Sequence, residues 1–227
     1  MALALGGEHF HQFLRKLGMF DYTDIEIPEK TKPLTPKRWP DITTMTVSFG
    51  HGISITPVHL AKAYGAVING GKLLPLSILK HDPNSKLKYK QVIKPETSEK
   101  VRKIMRAIVI SGTGRGAEVK GYVVGGKTGT AEKIVNGRYS GDKVMSSFAG
   151  AFPMNKPKYL VVVIVDDPKE KVRYVRPTGG VVAAPAVKNI VSRTGTMLGI
   201  KPNFDTEFDK TVYNSEEDDS VDQSHQD

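Results

Sequence analysis

The stretch of sequence that decides the fold is GYVVGGKTGTAEK, residues 121–133. Its first eight residues, from Gly121 to Thr128, match the phosphate-loop pattern G-x-x-x-x-G-K-[S/T], in which a helix begins at the lysine. The loop positions, however, hold Tyr-Val-Val, which favours a strand, and Gly129 stands where the helix would start. We therefore expect a strand over residues 126–130, and we keep a P-loop nucleotide-binding protein as the alternative.

Outward from this strand, the apolar pattern predicts helices in the first half of the chain and a sheet in the second. Capping residues, prolines and glycines set the expected ends of the helices. The predicted helices cover residues 2–17, 57–68, 95–110 and 181–198, and the further predicted strands cover residues 72–79, 146–152 and 159–165. Helices followed by three consecutive strands and a last helix predict an α+β fold with an antiparallel sheet.

The composition excludes several kinds of site. The chain of 227 residues contains no cysteine, which rules out disulfides, thiolate zinc sites and a cysteine nucleophile. The longest apolar run, residues 160–165, is far shorter than the ~20 residues of a membrane-spanning helix. The first residues lack the basic and apolar segments of a secretion signal. As written, the sequence therefore predicts neither a membrane anchor nor an export signal.

The formal charge of +9 is unevenly distributed along the chain. Residues 203–227 hold nine acidic side chains and one lysine, so the rest of the chain is strongly basic. Because this acidic segment has almost nothing to bury, we expect it to be a disordered tail. The basic body permits binding to an anionic polymer, and a non-catalytic module of that kind stays open as a second alternative. Nucleic acid is not expected, because no basic stripe interleaved with aromatic residues occurs.

Lys127-Thr128-Gly129-Thr130 is the K-T-G-T motif of penicillin-binding transpeptidases and related serine β-lactamases. Its surroundings resemble the same family. The chain is similar to class B penicillin-binding proteins, in particular to the cell-division branch of the penicillin-binding protein 3 type. The similar stretches are FGHGISITPVHLAKAYGAVINGG (49–71), GTGRGAEVKGYVVGGKTGTAEK (112–133), SFAGAFPMNKPKYLVVVIVDDP (147–168) and GGVVAAPAVKNIV (179–191).

The resemblance implies an α+β fold of the penicillin-binding transpeptidase and serine β-lactamase kind, with an antiparallel sheet flanked by helices. Residues 1–202 are expected to be the C-terminal portion of the transpeptidase domain, followed by the acidic tail of residues 203–227. The fold is then expected to be incomplete at its N-terminal side, with strand 159–165 open at one edge. Because an open apolar edge favours aggregation, we expect poor solubility or loose packing in isolation.

The resemblance also implies roles for the motif residues. Enzymes of this family form an acyl-serine with the D-Ala-D-Ala end of a peptidoglycan stem peptide, and β-lactams acylate the same serine. By resemblance, Lys127 supplies positive potential and moves protons, and the Thr128 and Thr130 hydroxyls hold the substrate carboxylate. The Thr130 N–H is expected to be one oxyanion donor, and Gly129 to let the substrate lie along the strand. No cofactor and no metal is implied.

The two other family motifs are S-x-x-K, which carries the nucleophile, and S-x-N. S-x-N does not occur, and S-x-x-K occurs only at Ser77, Ser85 and Ser140, none of which opens a predicted helix. No nucleophile is therefore expected in context, and the chain is expected to be inactive alone. The expected partners are a missing N-terminal half and cell-division membrane proteins. The family location is the bacterial inner membrane, with the domain in the periplasm.

Overall fold

The computed structural model describes residues 1–82, 84, 86–169, 175–205 and 207–212, without the side chain of Asp142. These residues form two compact units, Met1–Ser98 and Glu99–Asp227. The K-T-G-T motif lies in the second unit.

Helices dominate the first unit. Its elements are α1 (Ala2–Leu5), α2 (Gly7–Lys16), α3 (Asp41–Ser48), α4 (Pro57–Ile68) and the short strands β1 (Lys72–Leu73) and β2 (Lys90–Gln91). The single helix predicted over residues 2–17 is wrong, because Gly6 has φ 79°, outside the helical region, and separates α1 from α2. Helix α2 then ends just before Gly18, where the Met19 N–H donates to the Leu14 carbonyl at 3.1 Å.

Helix α4 begins and ends where the sequence predicts. The Thr56 hydroxyl oxygen accepts the His59 N–H at 3.3 Å, and Pro57 takes the first helical position, where no N–H is needed. The helix packs its small residues into the core of the first unit. That core gathers Leu17, Met19, Ala63 and Ala66.

The strand predicted over residues 72–79 is wrong beyond its first two residues, because only β1 pairs, with β2. Pro75 follows β1 closely and cannot donate a ladder hydrogen bond. Beyond it, two acidic side chains accept backbone N–H groups in place of a partner strand: Leu76 donates to Asp24 at 3.2 Å, and Ile78 donates to Glu26 at 3.0 Å.

The second unit contains the sheet. Its elements are α5 (Pro95–Ile110), whose first residues belong to the first unit, a 3-10 turn (Arg115–Ala117), β3 (Gly125–Val135), β4 (Arg138–Phe152), β5 (Tyr159–Asp166) and α6 (Ala183–Thr194). The strands pair antiparallel in the order β3-β4-β5, so β4 is central. The predicted α+β fold with an antiparallel sheet is confirmed.

One face of the sheet carries the core of the second unit. Phe148 and Phe152 of β4 are buried in one cluster with three residues of α6, namely Ala183, Val187 and Val191. Helix α6 is shorter than the predicted range 181–198. Residues 195–199 form turns instead, and the Ile200 N–H donates to the Gly195 carbonyl at 3.0 Å. The helix ends there because the glycines at 195 and 199 disfavour its continuation.

Part of the segment predicted to be a disordered tail is ordered. Residues 207–212 are helical, Val212 is buried, and the Asp209 carboxylate pairs with Arg106 at 2.8 Å. The low apolar content of the segment does not reveal this order, because the order depends on a charged partner elsewhere in the chain. Residues 206 and 213–227 lie outside the described residues, so for them the prediction stays a prediction.

Candidate functional site: the K-T-G-T strand

The K-T-G-T motif lies within β3, on an edge of the sheet. Its four residues stand opposite β4 in the antiparallel register, with Gly129 facing Ser147 and Thr130 facing Ser146. Among the residues that the structure describes, no strand pairs with the other side of β3. The backbone of the motif is therefore open to a further extended chain on that side.

The two threonines of the motif share the face of the sheet that carries Phe148, because successive side chains of a strand alternate between faces. The Thr128 and Thr113 hydroxyl oxygens lie 2.9 Å apart, within hydrogen-bond distance. The Thr130 hydroxyl oxygen accepts the Gly179 N–H at 3.1 Å. Since a hydroxyl accepts and donates at once, the Thr130 proton stays available for an acceptor outside the protein.

Lys127 and Gly129 share the opposite face. The Lys127 side chain is exposed, and its ammonium donates to the Thr128 carbonyl at 2.7 Å, so in this structure it rests on its own strand. A Cβ atom at Gly129 would lie 2.5 Å from Oγ of Ser147, a terminal atom that can rotate away. The structure thus brings all four predicted site residues to one strand edge. The roles assigned to them from the resemblance stay predictions.

Two neighbours of the motif were not singled out from the sequence. Thr113 and Gly179 each contact a motif threonine, and Gly179 also approaches the strand backbone. A Cβ atom at Gly179 would clash with the Ser147 carbonyl oxygen and would lie 2.5 Å from the Gly129 carbonyl oxygen. The sequence signal for both neighbours is the glycines of the stretches that contain them, GTGRG (112–116) and GGVVAA (179–184). Glycines permit close approach of one backbone to another.

The P-loop alternative is wrong. Residues from Gly126 onward continue as β3 to Val135, so no helix begins at Lys127 to direct N–H groups at a phosphate. Lys127 instead stands on an exposed strand position. The literal match of residues 121–128 to the phosphate-loop pattern has no structural counterpart.

Of the S-x-x-K matches, the two whose serine lies in the described residues do not open a helix. The Ser77 hydroxyl donates to Glu26 at 2.5 Å in a loop of the first unit. Ser140 lies near the β3–β4 turn, about 20 Å along β4 from Ser146 at ~3.3 Å per residue, and its hydroxyl accepts the Lys143 N–H at 3.3 Å. Ser85 lies outside the described residues.

Two further features are absent from the described part of the chain. No group of three or more histidine or acidic side chains there could hold a metal ion. No helix there has the length and apolar character to cross a membrane.

Curated proteins similar to this chain include two bacterial relatives. The probable peptidoglycan D,D-transpeptidase FtsI of Caulobacter vibrioides is 39% identical over 211 residues, which cover 88% of this chain and 36% of the relative. Stage V sporulation protein D of Bacillus subtilis is 39% identical over 210 residues, covering 87% of this chain and 32% of the relative. The chain thus spans about a third of the length of these relatives.

Solved structures agree with this likeness. The transpeptidase domain of penicillin-binding protein 3 from Burkholderia pseudomallei matches with a TM-score of 0.81 and 33% identity, over 89% of this chain and 61% of that one. Penicillin-binding protein 3 of Mycobacterium tuberculosis, solved with ampicillin, matches with a TM-score of 0.76 and 28% identity, over 90% of this chain and 49% of that one.

The family profile described as the penicillin binding protein transpeptidase domain matches residues 1–192, most of the chain. That range includes the whole K-T-G-T strand and its partners Thr113 and Gly179. Fold, motif and relatives agree, and the chain belongs to the penicillin-binding protein transpeptidase domain family.

Proposed function

We propose that this chain supplies the substrate-binding strand of a peptidoglycan D,D-transpeptidase that acts in bacterial cell division. The observation that carries the proposal is the K-T-G-T motif on an open strand edge, with Gly129 at its centre. An extended peptide can add to such an edge through main-chain hydrogen bonds. A peptidoglycan stem peptide that ends in D-Ala-D-Ala is the proposed substrate, and β-lactams are the proposed inhibitors.

The side chains around that edge suit a peptide with a terminal carboxylate. Lys127 brings a positive charge, and it can leave the Thr128 carbonyl because it is exposed. The Thr130 hydroxyl oxygen accepts the Gly179 N–H, and its own proton can be donated to the substrate carboxylate. Donors that lie in place before the substrate arrives cost little reorganisation, which is what anion binding and oxyanion stabilisation require. The Thr130 N–H is the proposed oxyanion donor.

Acyl transfer also needs a nucleophile. Because none of the S-x-x-K matches opens a helix in the sequence, we propose that the 227 residues are inactive alone and act together with a segment that carries S-x-x-K and S-x-N. Cell-division membrane proteins are further proposed partners. The proposed location is the bacterial inner membrane, with this domain in the periplasm.

The experiment has two arms on the purified chain. Intact-mass spectrometry after incubation with a penicillin tests acylation, and we expect no covalent adduct. NMR titration with an N-acyl-D-Ala-D-Ala peptide tests the strand, and we expect shifts at the amides of residues 127–130. The L-Ala-L-Ala peptide is the control ligand, because its stereochemistry is wrong at the same charge and size.

Lys127→Ala is the matched variant, since removal of an exposed side chain leaves the fold intact. We expect it to weaken binding of the D,D-peptide about 10-fold, as expected for loss of one charge-assisted contact. Equal shifts with the L,L-peptide, or no shifts at residues 127–130, would argue against a substrate strand. A stoichiometric serine adduct would show that the chain contains its own nucleophile.

A further inference from the structure

Arg106 of α5 makes an unusually complete set of hydrogen bonds. Its side chain is only 5% exposed, and each of its five N–H donors has an acceptor. Nε and Nη2 donate to the two oxygens of Asp209 at 2.8 Å each. Nη1 and Nη2 donate to Glu118 at 2.5 and 3.2 Å, and Nη1 also donates to the Val124 carbonyl at 2.7 Å.

These acceptors come from separate parts of the second unit. Val124 immediately precedes β3, so its carbonyl fixes the point where the K-T-G-T strand begins. Glu118 follows the 3-10 turn that leads to that strand. Asp209 belongs to residues 207–212, which lie beyond residues 1–192 matched by the family profile. We call residues 207–212 the C-terminal latch.

The beginning of β3 also packs tightly against α5. A Cβ atom at Gly125 would lie 3.2 Å from the Arg106 backbone nitrogen and 2.6 Å from Cε of Met154. The beginning of β3 is therefore closely packed against the helix that carries Arg106. Lys127 follows only three residues after Val124 along the strand.

The charges make the network dependent on both carboxylates. Burial disfavours the guanidinium charge, but the hydrogen bonds that Arg106 donates to Asp209 and Glu118 outweigh that penalty and raise the pKa of Arg106. If the Asp209 carboxylate is lost, two donors of a buried cation lose their charged acceptor. A buried cation that has lost part of its hydrogen bonding is unstable, so the guanidinium shifts towards other acceptors or water. Its hydrogen bond to the Val124 carbonyl then weakens.

We propose that Arg106 is a positioning residue for the K-T-G-T strand, and that the C-terminal latch holds Arg106 in place through Asp209. The inference rests on the proposed function only in calling this strand the substrate strand. The link from Asp209 through Arg106 to Val124 can be tested without any substrate.

The first test measures amide hydrogen exchange in the full chain and in Asp209→Asn, which keeps the size of the side chain and removes its charge. We expect exchange over residues 119–130 to rise about 10-fold or more. Glu207→Gln is the matched control, since Glu207 lies in the same latch in an exposed pair with Lys210 and is expected to change nothing there. Asp209→Glu, which keeps the carboxylate, should restore part of the protection.

A second comparison separates positioning from a general loss of stability. Val191→Ala removes buried methyl groups from the core and leaves every hydrogen-bond acceptor of Arg106 in place. Under native conditions, Asp209→Asn should move the amide chemical shifts of residues 127–130, whereas Val191→Ala should leave them in place. Unchanged exchange and unchanged shifts in Asp209→Asn would overturn the inference.

The peptide titration distinguishes this inference from the proposed function. Suppose that the unmodified chain does not bind the D,D-peptide but Asp209→Asn increases exchange over residues 119–130. The positioning role of Arg106 and the C-terminal latch is then supported, and the proposed substrate role of the strand is contradicted. If the unmodified chain and Asp209→Asn bind the peptide equally, with equal exchange, the substrate role stands and the latch fails.

Discussion

At the scale of the residue, glycine is favoured at two positions of the site, 129 in the motif and 179 beside it, for different reasons. A Cβ atom at Gly179 would meet backbone atoms of Ser147 and Gly129, which cannot move without shifting the sheet. A Cβ atom at Gly129 would meet only the Ser147 hydroxyl, which can rotate. Close packing therefore requires glycine at 179 but not at 129, where the proposed binding of a peptide along the strand is the reason to expect it.

We predict that Gly179→Ala and Gly129→Ala separate stability from binding. Gly179→Ala should lower the free energy of unfolding by about 3 kcal/mol or more, and Gly129→Ala by less than about 1 kcal/mol. Gly129→Ala should nevertheless weaken binding of the D,D-peptide to the strand. Urea unfolding gives the first comparison and NMR titration the second. Equal destabilisation by the two substitutions would contradict the packing that we describe.

Residue chemistry also explains what the sequence could and could not reveal about the site. Lys127, Thr128, Gly129 and Thr130 form a continuous motif, so they could be found from their order alone. Thr113, Gly179 and Arg106 are distant in sequence from the groups that they contact. The glycines near Thr113 and at 179 indicate close backbone approach, but they do not identify the partner. Asp209 was counted only as one acid of a tail, because its partner becomes visible only when the chain folds.

At the scale of the element, the loop after β1 depends on two carboxylates. Burial raises the pKa of Asp24, but its hydrogen bonds from Lys62 and Leu76 outweigh this and hold the pKa below the ordinary value. Hydrogen bonds from Ser77 and from the Ile78 N–H lower the pKa of Glu26. Both carboxylates therefore favour the folded loop while they are ionised.

We predict that acid loosens this loop before other parts of the first unit. The pKa of each carboxyl group is lower in the folded than in the unfolded chain. The stabilisation of the loop by each carboxylate is therefore fully present above the pKa of the group in the unfolded chain, which is about 4. It is lost as the pH falls through the lower pKa of the same group in the folded chain. Protection of the Leu76 and Ile78 amides from exchange, relative to the intrinsic exchange rate at each pH, should fall over that range. Val92, whose N–H donates to the Gly71 carbonyl, is the internal control.

Glu26→Gln tests the cause of that change. The glutamine amide cannot ionise, so protection of the Ile78 amide should lose much of its dependence on pH. Protection of the Leu76 amide should keep its own dependence through Asp24. If Ile78 responds to acid as strongly in the variant as in the unmodified chain, the Glu26 carboxylate is not what holds it.

Element boundaries show where local sequence signals suffice. Helix α4 has a capping threonine and a proline at its start, and its ends were predicted correctly because those signals are local. Residues 72–79 have a strand-like composition, but a strand also needs a partner with free backbone groups. Here acidic side chains take the N–H groups of Leu76 and Ile78, and composition alone cannot show that competition.

At the scale of the whole molecule, the sheet of the second unit has one unpaired apolar edge in the described residues. Strand β5 pairs with β4 on one side only, and its residues from Tyr159 to Val165 are all half-buried. Val161 and Val163 pack against the core. Val162 alternates with them and so lies on the other face. An apolar, β-branched edge of this kind can pair with a second chain.

We predict that the purified chain associates in a concentration-dependent way through β5, and that Val162→Lys reduces this association. A lysine on an edge strand disfavours pairing, because a second chain would have to bury its charge. Sedimentation velocity over a range of concentrations measures the effect. Lys158→Ala, which lies just before β5 and leaves its apolar residues intact, is the control. A monomer at every concentration, with a sharp two-state melt, would show that the described residues fold stably without covering this edge.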